Sequence, residues 1–242
     1  MNLIIDIGNS RIKVALVEGG EVVSVTALPS IEEFDIQAFC AANGGIERAI
    51  VASTGVSAEG VAESLRERGV EVVEMNSSTK VPIGNDYATP QTLGVDRLAA
   101  AVAASKLYGD DCLIVDFGTA ITIDLVEDGR FRGGNISPGM RTRFRALHDY
   151  TSRLPECDAT DEILEIGRTT RQAIEQGVMQ GITNEIEGYI SAFLLKNAKL
   201  SIIFTGGDAK SFVKRIKNAI FANCDLVIYG LNTILEYNAE NK

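Results

Sequence analysis

The stretch LIIDIGNSRIKVALVEGG, beginning at Leu3, recurs without a gap as LIVDFGTAITIDLVEDGR, beginning at Leu113. Asp6 falls on Asp116, Gly8 on Gly118 and Gly19 on Gly129, each at an offset of 110 residues. Each copy reads as an apolar strand, an acidic residue, a Gly-containing tight turn and a second strand. A second turn, Glu18-Gly19-Gly20 or Glu127-Asp128-Gly129, leads to a third strand, Glu21–Ala27 or Arg130–Ile136. One such match would suit two unrelated hairpins; both turns in register argue for a duplication.

After each hairpin the pattern changes to alternating helices and strands. In the first half the periodicity predicts a helix over Ile31–Ala42, a strand over Arg48–Ala52, a helix over Ala58–Arg68 and a strand over Val70–Glu74. A loop from Asn76 to Thr92, rich in Ser, Thr, Pro and Gly, precedes a helix over Leu93–Tyr108. In the second half Met140–Thr151 and Thr170–Lys196 read as helices. They are followed by a strand Ser201–Thr205, a helix Ala209–Ala219, a strand Leu226–Tyr229 and a helix Leu231–Tyr237. The expected fold class is α/β, two lobes each with a mixed sheet covered by helices. The boundary is placed at the Gly109-Asp110-Asp111 turn, giving lobes 1–109 and 110–242.

Charge narrows the partners. Thirty-three acidic residues against 23 basic ones give a net charge of −10. Binding to a phosphate backbone or an anionic membrane needs a basic surface, so neither nucleic acid nor membrane is expected as a partner. A small anion needs only a few placed donors and stays open. No apolar run approaches the roughly 20 residues of a membrane helix, and MNLIIDIGNS carries no basic leader before its strand pattern, so no signal peptide is expected. Cys40, Cys112, Cys157 and Cys224 are scattered, with no CxxC pair and no histidine cluster. That disfavours disulfides and zinc and points to reduced thiols in the cytoplasm. With His148 the single histidine, a Ser-His-Asp or Cys-His hydrolase is improbable.

A pair of Asp-Gly turns suits phosphate chemistry. A tight turn without bulky side chains directs successive backbone N–H groups at an anion, and an aspartate just before it can hold a cation beside the phosphates. Two copies facing across a cleft would grip a nucleoside triphosphate, leaving mostly positioning and charge stabilisation to the protein. Ser10 and Thr119 add hydroxyl donors, and Lys13 is either an ammonium for the phosphates or a solvated strand residue. No GxxxxGK[ST] and no GxGxxG after a strand occurs.

The segment YATPQTLGVDR, Tyr87–Arg97, places Asp96 and Arg97 in the first turn of an Ala-rich helix. A carboxylate there is stabilised by the helix dipole and can accept a proton from a substrate hydroxyl. Arg97 can pair with a carboxylate or a transferred phosphoryl group. An acidic first-turn residue beside a surface arginine would look the same locally.

The combination DIGNSRIK (Asp6–Lys13), GVDR (Gly94–Arg97), DFGTAIT (Asp116–Thr122), GGNISPGM (Gly133–Met140) and TGGDA (Thr205–Ala209) resembles type III pantothenate kinase, in the family's order and over nearly the whole chain. The resemblance implies the actin-like ATPase fold of the acetate and sugar kinases, with two ribonuclease-H-like lobes of duplicated β-β-β-α-β-α-β-α order. It implies ATP-dependent phosphorylation of pantothenate to 4'-phosphopantothenate, the first step of coenzyme A biosynthesis, with Mg2+ and a monovalent cation, K+ or NH4+. Carried over by position, Asp6, Gly8, Asn9, Ser10 and Lys13 belong to the first phosphate motif, Asp6 in the vicinity of Mg2+. Gly94, Val95, Asp96 and Arg97 match the substrate motif, with Asp96 as general base. Asp116 matches the holder of the monovalent cation, and Gly118 and Thr119 contact ATP. Gly206 and Gly207 resemble the adenosine motif, although a plain strand-to-helix turn reads the same way. Tyr87 matches a substrate-contacting tyrosine. Thr170 matches a threonine that reaches pantothenate from the partner subunit of a homodimer, the site lying near the subunit interface. The family more often has Asn where Thr169 stands.

In the helix from Thr170, Ile174, Val178, Ile182, Ile186 and Ile190 recur four apart, and Gly177 and Gly181 suggest close backbone approach to another helix. A dimer interface or ordinary burial would both produce this. Arg141, Arg143 and Arg145 read as a solvated basic run or an aid in attracting anions. Two other functions compete with the kinase: a catalytically silent relative of the same fold, and a kinase for another small hydroxylated or carboxylate substrate. The presence of Asp6, Asp96 and Asp116 favours an active enzyme.

Overall fold

The computed structural model describes residues 1–55, 59–216 and 221–241. Eleven strands and seven helices are assigned among them. The first half contains β1 (Asn2–Ile7), β2 (Ile12–Glu18), β3 (Glu21–Leu28), α1 (Ile36–Ala42), β4 (Arg48–Ser53), α2 (Glu59–Arg66), β5 (Glu71–Glu74), β6 (Gly84–Asn85) and α3 (Val95–Tyr108). The second contains β7 (Cys112–Phe117), β8 (Ala120–Glu127), β9 (Arg130–Pro138), α4 (Met140–Asp149), α5 (Thr170–Leu194), β10 (Ser201–Thr205), α6 (Ala209–Val213), β11 (Phe221–Ala222) and α7 (Leu226–Glu240).

The duplication is visible in the sheets. One has the order β3-β2-β1-β4-β5, and the other runs β9-β8-β7-β10-β11, with β6 added beyond β9. In both, the opening hairpin is antiparallel and the fourth strand returns parallel to the first. That parallel return needs a crossover connection. β1 and β7 are therefore central strands covered on both faces, which is why NLIIDI and CLIVDF are nearly unbroken apolar runs. Asp6 and Asp116 interrupt them near the carboxyl end, where open α/β sheets place their ligands.

Two compact units result. One comprises Met1–Leu107, Gly129–Arg132 and the stretch from Asp225; the other comprises Tyr108–Asp128 and Gly133–Cys224. The sequence reading assigned the last helix and residues 129–132 to the second lobe, whereas they group with the first unit. In that unit Leu3, Ile5, Ile7, Val14 and Val51 form a core with Leu65 of α2. Residues 97–104 of α3 are all buried, and their alanines leave little side-chain bulk between helices. Gly230 of α7 sits so close to the Ala99 carbonyl that a Cβ would collide with it, and Asn2 Nδ2 donates to Asn232 Oδ1 at 2.8 Å. In the second unit α5 buries Ile174, Val178, Ile182, Ile186 and Ile190 in the core with Phe117, Phe144 and Phe204.

Several element expectations change. The β-branched run at 226–229 is not a strand but the start of α7, which continues through Tyr237 to Glu240. Its buried residues Leu226, Gly230, Leu231, Ile234 and Leu235 follow helical spacing. The helix expected over Ile31–Ala42 is a 3-10 turn, Ile31–Glu33, followed by α1. Asp35 caps α1 there, accepting from Gln37 N at 3.0 Å and Ala38 N at 2.9 Å. Val95 begins α3, because Leu93 is the extended residue after a second 3-10 turn, Pro90–Thr92. The helix expected over Ala209–Ala219 ends at Val213, Lys214 being its C-cap; residues 217–219, and Ala58 at the expected start of α2, lie outside the described residues. No described helix is long and apolar enough to cross a membrane.

Candidate active site

In the first unit the strand end and the helix start come together. Asp6 pairs across the sheet with Lys13 of β2 and with Ala52 of β4. The turn that follows is closed by Gly8 N donating to Arg11 O at 3.1 Å, and Thr54 N donates to Ile7 O at 3.1 Å. Asn9 lies beside Gly55, and Ser10 is exposed on the turn. Asp6 has its carboxyl pushed up to about 6, first by burial and then by the charge of Asp96, against a lowering effect of Lys13. Residues 6 and 96 thus face one another electrostatically. Lys13 Nζ is 3.3 Å from Asp225 Oδ1, an ion pair that extends the cluster to the residue preceding α7.

Gly94 O accepts from Leu98 N at 3.2 Å, which sets Val95 and Asp96 in the first turn of α3. Asp96 Oδ1 accepts from Arg97 N at 2.8 Å. Arg97 is buried, with 7 % of its surface exposed, so the surface-arginine alternative does not hold. Its guanidinium carbon lies 5.7 Å from the Tyr87 ring centroid and 5.8 Å from that of Phe131. The two rings are 5.9 Å apart, and guanidinium–ring contacts of this kind are favourable.

The second unit carries the other motif residues. Thr205 of β10 pairs with Asp116 of β7, and the turn after β10 passes directly over the aspartate. Gly206 has φ +92°, and a Cβ there would strike Asp116 Oδ1 and the Phe117 backbone; only glycine satisfies both demands. Asp208 N donates to Phe117 O at 3.1 Å, locking the Gly206-Gly207 turn to β7. Gly118 N donates to Ala120 O at 3.2 Å, and Thr119 O accepts from Gly139 N at 3.0 Å and from Thr142 Oγ1 at 2.8 Å. Gly139 touches the Gly118 and Thr119 carbonyls so closely that a side chain has no room. The Pro-Gly before α4 therefore shapes the second Asp-Gly turn, a role its sequence motif did not reveal.

Thr170 is the exposed first residue of α5, and Thr169 is its N-cap, with Oγ1 accepting from Gln172 N at 3.2 Å. Threonine is among the favoured N-cap residues. The apolar stripe of α5 is spent on its own core, and Gly177 and Gly181 lie off that stripe: a Cβ at either meets nothing within 4 Å. Among the described residues neither glycine is therefore packed against another helix. The arginine run is paired rather than free: Arg141 with Asp208 at 3.8 Å, Arg143 with Glu185, and Arg145 with Asp149 at 3.7 Å.

Among the described residues no group of three or more His, Cys, Asp and Glu side chains could hold a metal ion. A divalent ion bound here would thus depend on one or two carboxylates plus ligand phosphates, the usual way with Mg2+. Asp6, crowded by a second carboxylate, fits such an ion, since a cation relieves the repulsion.

The duplicated sheets define the class: an actin-like ATPase fold of the sugar-kinase kind. A Thermus thermophilus ROK hexokinase has a TM-score of 0.52 at 13% identity, over 97% of this chain and 98% of its own. A Campylobacter jejuni protein assigned to the Baf family reaches 0.63 at 22% identity, over 98% and 99%. The chain belongs to the type III pantothenate kinase family, whose family model matches residues 2–192, and it is a kinase. The type III pantothenate kinase of Phocaeicola vulgatus is 43% identical over 240 residues, 98% of this chain and 99% of that protein.

Proposed function

We propose that the protein transfers the γ-phosphoryl group of ATP to pantothenate, forming 4'-phosphopantothenate and ADP at the entry to coenzyme A biosynthesis. The observation that carries this reading is that Asp6, from the first phosphate motif, and Asp96, from the substrate motif, lie in one unit, near enough for the Asp96 charge to act on the Asp6 carboxyl. In the proposed reaction Asp96 accepts the hydroxyl proton as the hydroxyl oxygen bonds to the γ-phosphorus. The bond to the bridging oxygen breaks and ADP leaves. Arg97 and Tyr87 take the acidic substrate, Arg97 through its guanidinium. Gly8, Asn9, Ser10 and Lys13 of the first unit are assigned to phosphates, and in the second unit Gly118 and Thr119 are assigned to ATP and Gly206 and Gly207 to the adenosine.

Mg2+ beside Asp6 and K+ or NH4+ at Asp116 would supply charge neutralisation to the phosphates when bound. The open faces of Gly177 and Gly181 support a homodimer in which Thr170 reaches the partner's substrate. A coupled ADP-release assay with pantothenate, acetate and glucose as competing acceptors tests the reading. ADP release specific to pantothenate is expected; release with another acceptor, or with none, overturns it.

A further inference from the structure

β6 is two residues long, yet it holds the segment that carries Tyr87. It pairs in parallel with the start of β9, Gly84 with Arg130 and Asn85 with Phe131. Gly84 N donates to Gly129 O at 3.0 Å and Asp86 N to Phe131 O at 2.9 Å. Two backbone bonds on an edge are a weak tether, so side chains must supply the rest.

They do so on alternating faces. Successive strand residues point to opposite sides, and Arg130 and Arg132 project on one side while Phe131 is buried on the other. Arg130 Nε lies 3.1 and 3.0 Å from the two Asp86 oxygens and its Nη2 2.5 Å from Oδ1; Arg132 Nη1 is 2.7 Å from Oδ2. The hydrogen bonds from Arg130 hold the Asp86 carboxyl below its ordinary range. Arg130 also lies across Gly84, where any Cβ would run into it. On the opposite side Tyr87 and Phe131 flank the Arg97 guanidinium. The neighbours Asp86 and Tyr87 are thus matched to the neighbours Arg130 and Phe131, one pair ionic and exposed, the other aromatic and inward.

We propose that Asp86, gripped by Arg130 and Arg132, is a positioning residue that holds Tyr87 against Arg97 and so sets affinity for the acidic acceptor without acting on the nucleotide. A single exposed ion pair contributes little, but a bidentate arginine with a second arginine on the same carboxylate fixes direction as well as distance. The assignment rests on the substrate reading above for the identity of the acceptor.

The test compares the full-length protein with Asp86→Ala, Arg130→Ala, the double variant and Asp86→Glu, in steady-state kinetics and in amide hydrogen exchange. Asp86→Ala and Arg130→Ala are expected to raise KM for pantothenate about tenfold, leave KM for ATP within about twofold, and speed exchange at Gly84 and Asp86. The double variant should be no worse than Asp86→Ala, because Arg130 acts through that carboxylate, which Arg132 also holds, and Asp86→Glu should recover most of the affinity. Equal rises in both KM values, additive losses, or unchanged exchange at Gly84 and Asp86 would overturn the proposal. Should the wild-type protein fail to use pantothenate, the substrate reading fails, and the exchange measurement still decides whether Asp86 holds the segment.

Discussion

The Asp96 carboxylate, on the first turn of α3, adds its charge to burial in pushing the Asp6 carboxyl, at the end of β1, up to about 6. The charged form of Asp6 is thus disfavoured in the protein without ligands, and a bound cation would reverse that.

The stability consequence has a definite sign. Asp6 has a raised pKa in the folded state, so the unfolded chain ionises first and stability falls as pH rises from about 3.8 to about 6. Asp6→Asn removes the ionisation. In EDTA the variant should be close to wild type below the window and more stable above it, by on the order of 3 kcal/mol. Denaturant melts at several pH values would show this; a pH-independent difference would not fit.

Asp96→Asn keeps the shape of the first turn and loses the proton acceptor. We expect kcat to fall roughly 10²-fold or more, with nucleotide binding retained, measured by steady-state kinetics and calorimetry. Near-normal turnover would remove Asp96 from its assigned role.

Gly206 and Gly207 are adjacent but differ in what a methyl group would meet. At Gly206 it strikes Asp116 and the β7 backbone at a positive φ, whereas at Gly207 it meets nothing within 4 Å. Gly206→Ala should therefore lower thermal stability by a few kcal/mol and weaken ATP binding. Gly207→Ala should keep the stability of wild type, so a contrast in thermal melts is the check.

Asp116 is assigned to a monovalent cation. Activity should accordingly require K+ or NH4+ in addition to Mg2+, and Asp116→Asn should lose that dependence together with most of the rate. Full activity in a buffer whose sole monovalent cation is Na+ would exclude the assignment.

The exposed glycine face of α5 leads to the last expectation. Replacing Gly177 and Gly181 with leucine should leave the fold intact, because the space beside them is open, while reducing dimer formation in light scattering. An unchanged dimer would place the interface elsewhere.

Much of this was legible in the chain itself because the signals are local. The repeated strand, Asp-Gly turn and strand at Asp6 and Asp116 depend on alternation and turn chemistry within a few residues, and the placing of Asp96 in the first turn of α3 follows from Pro90 and Gly94, although the helix begins at Val95 rather than Leu93. The run Leu226–Tyr229 misled because β-branched residues favour strands weakly, and its helical state depends on packing against distant partners, Gly230 on Ala99 and Asn232 on Asn2.

The amino-acid order thus determined the duplicated architecture, the family and the identity of the acidic motif residues. Tertiary structure alone decided that Asp96 bears on Asp6, that Arg97 is buried between two rings, and that Arg130 and Arg132 close on Asp86, 44 and 46 residues away. Those relationships are set by desolvation and close packing, which act between groups that meet only when the chain is folded.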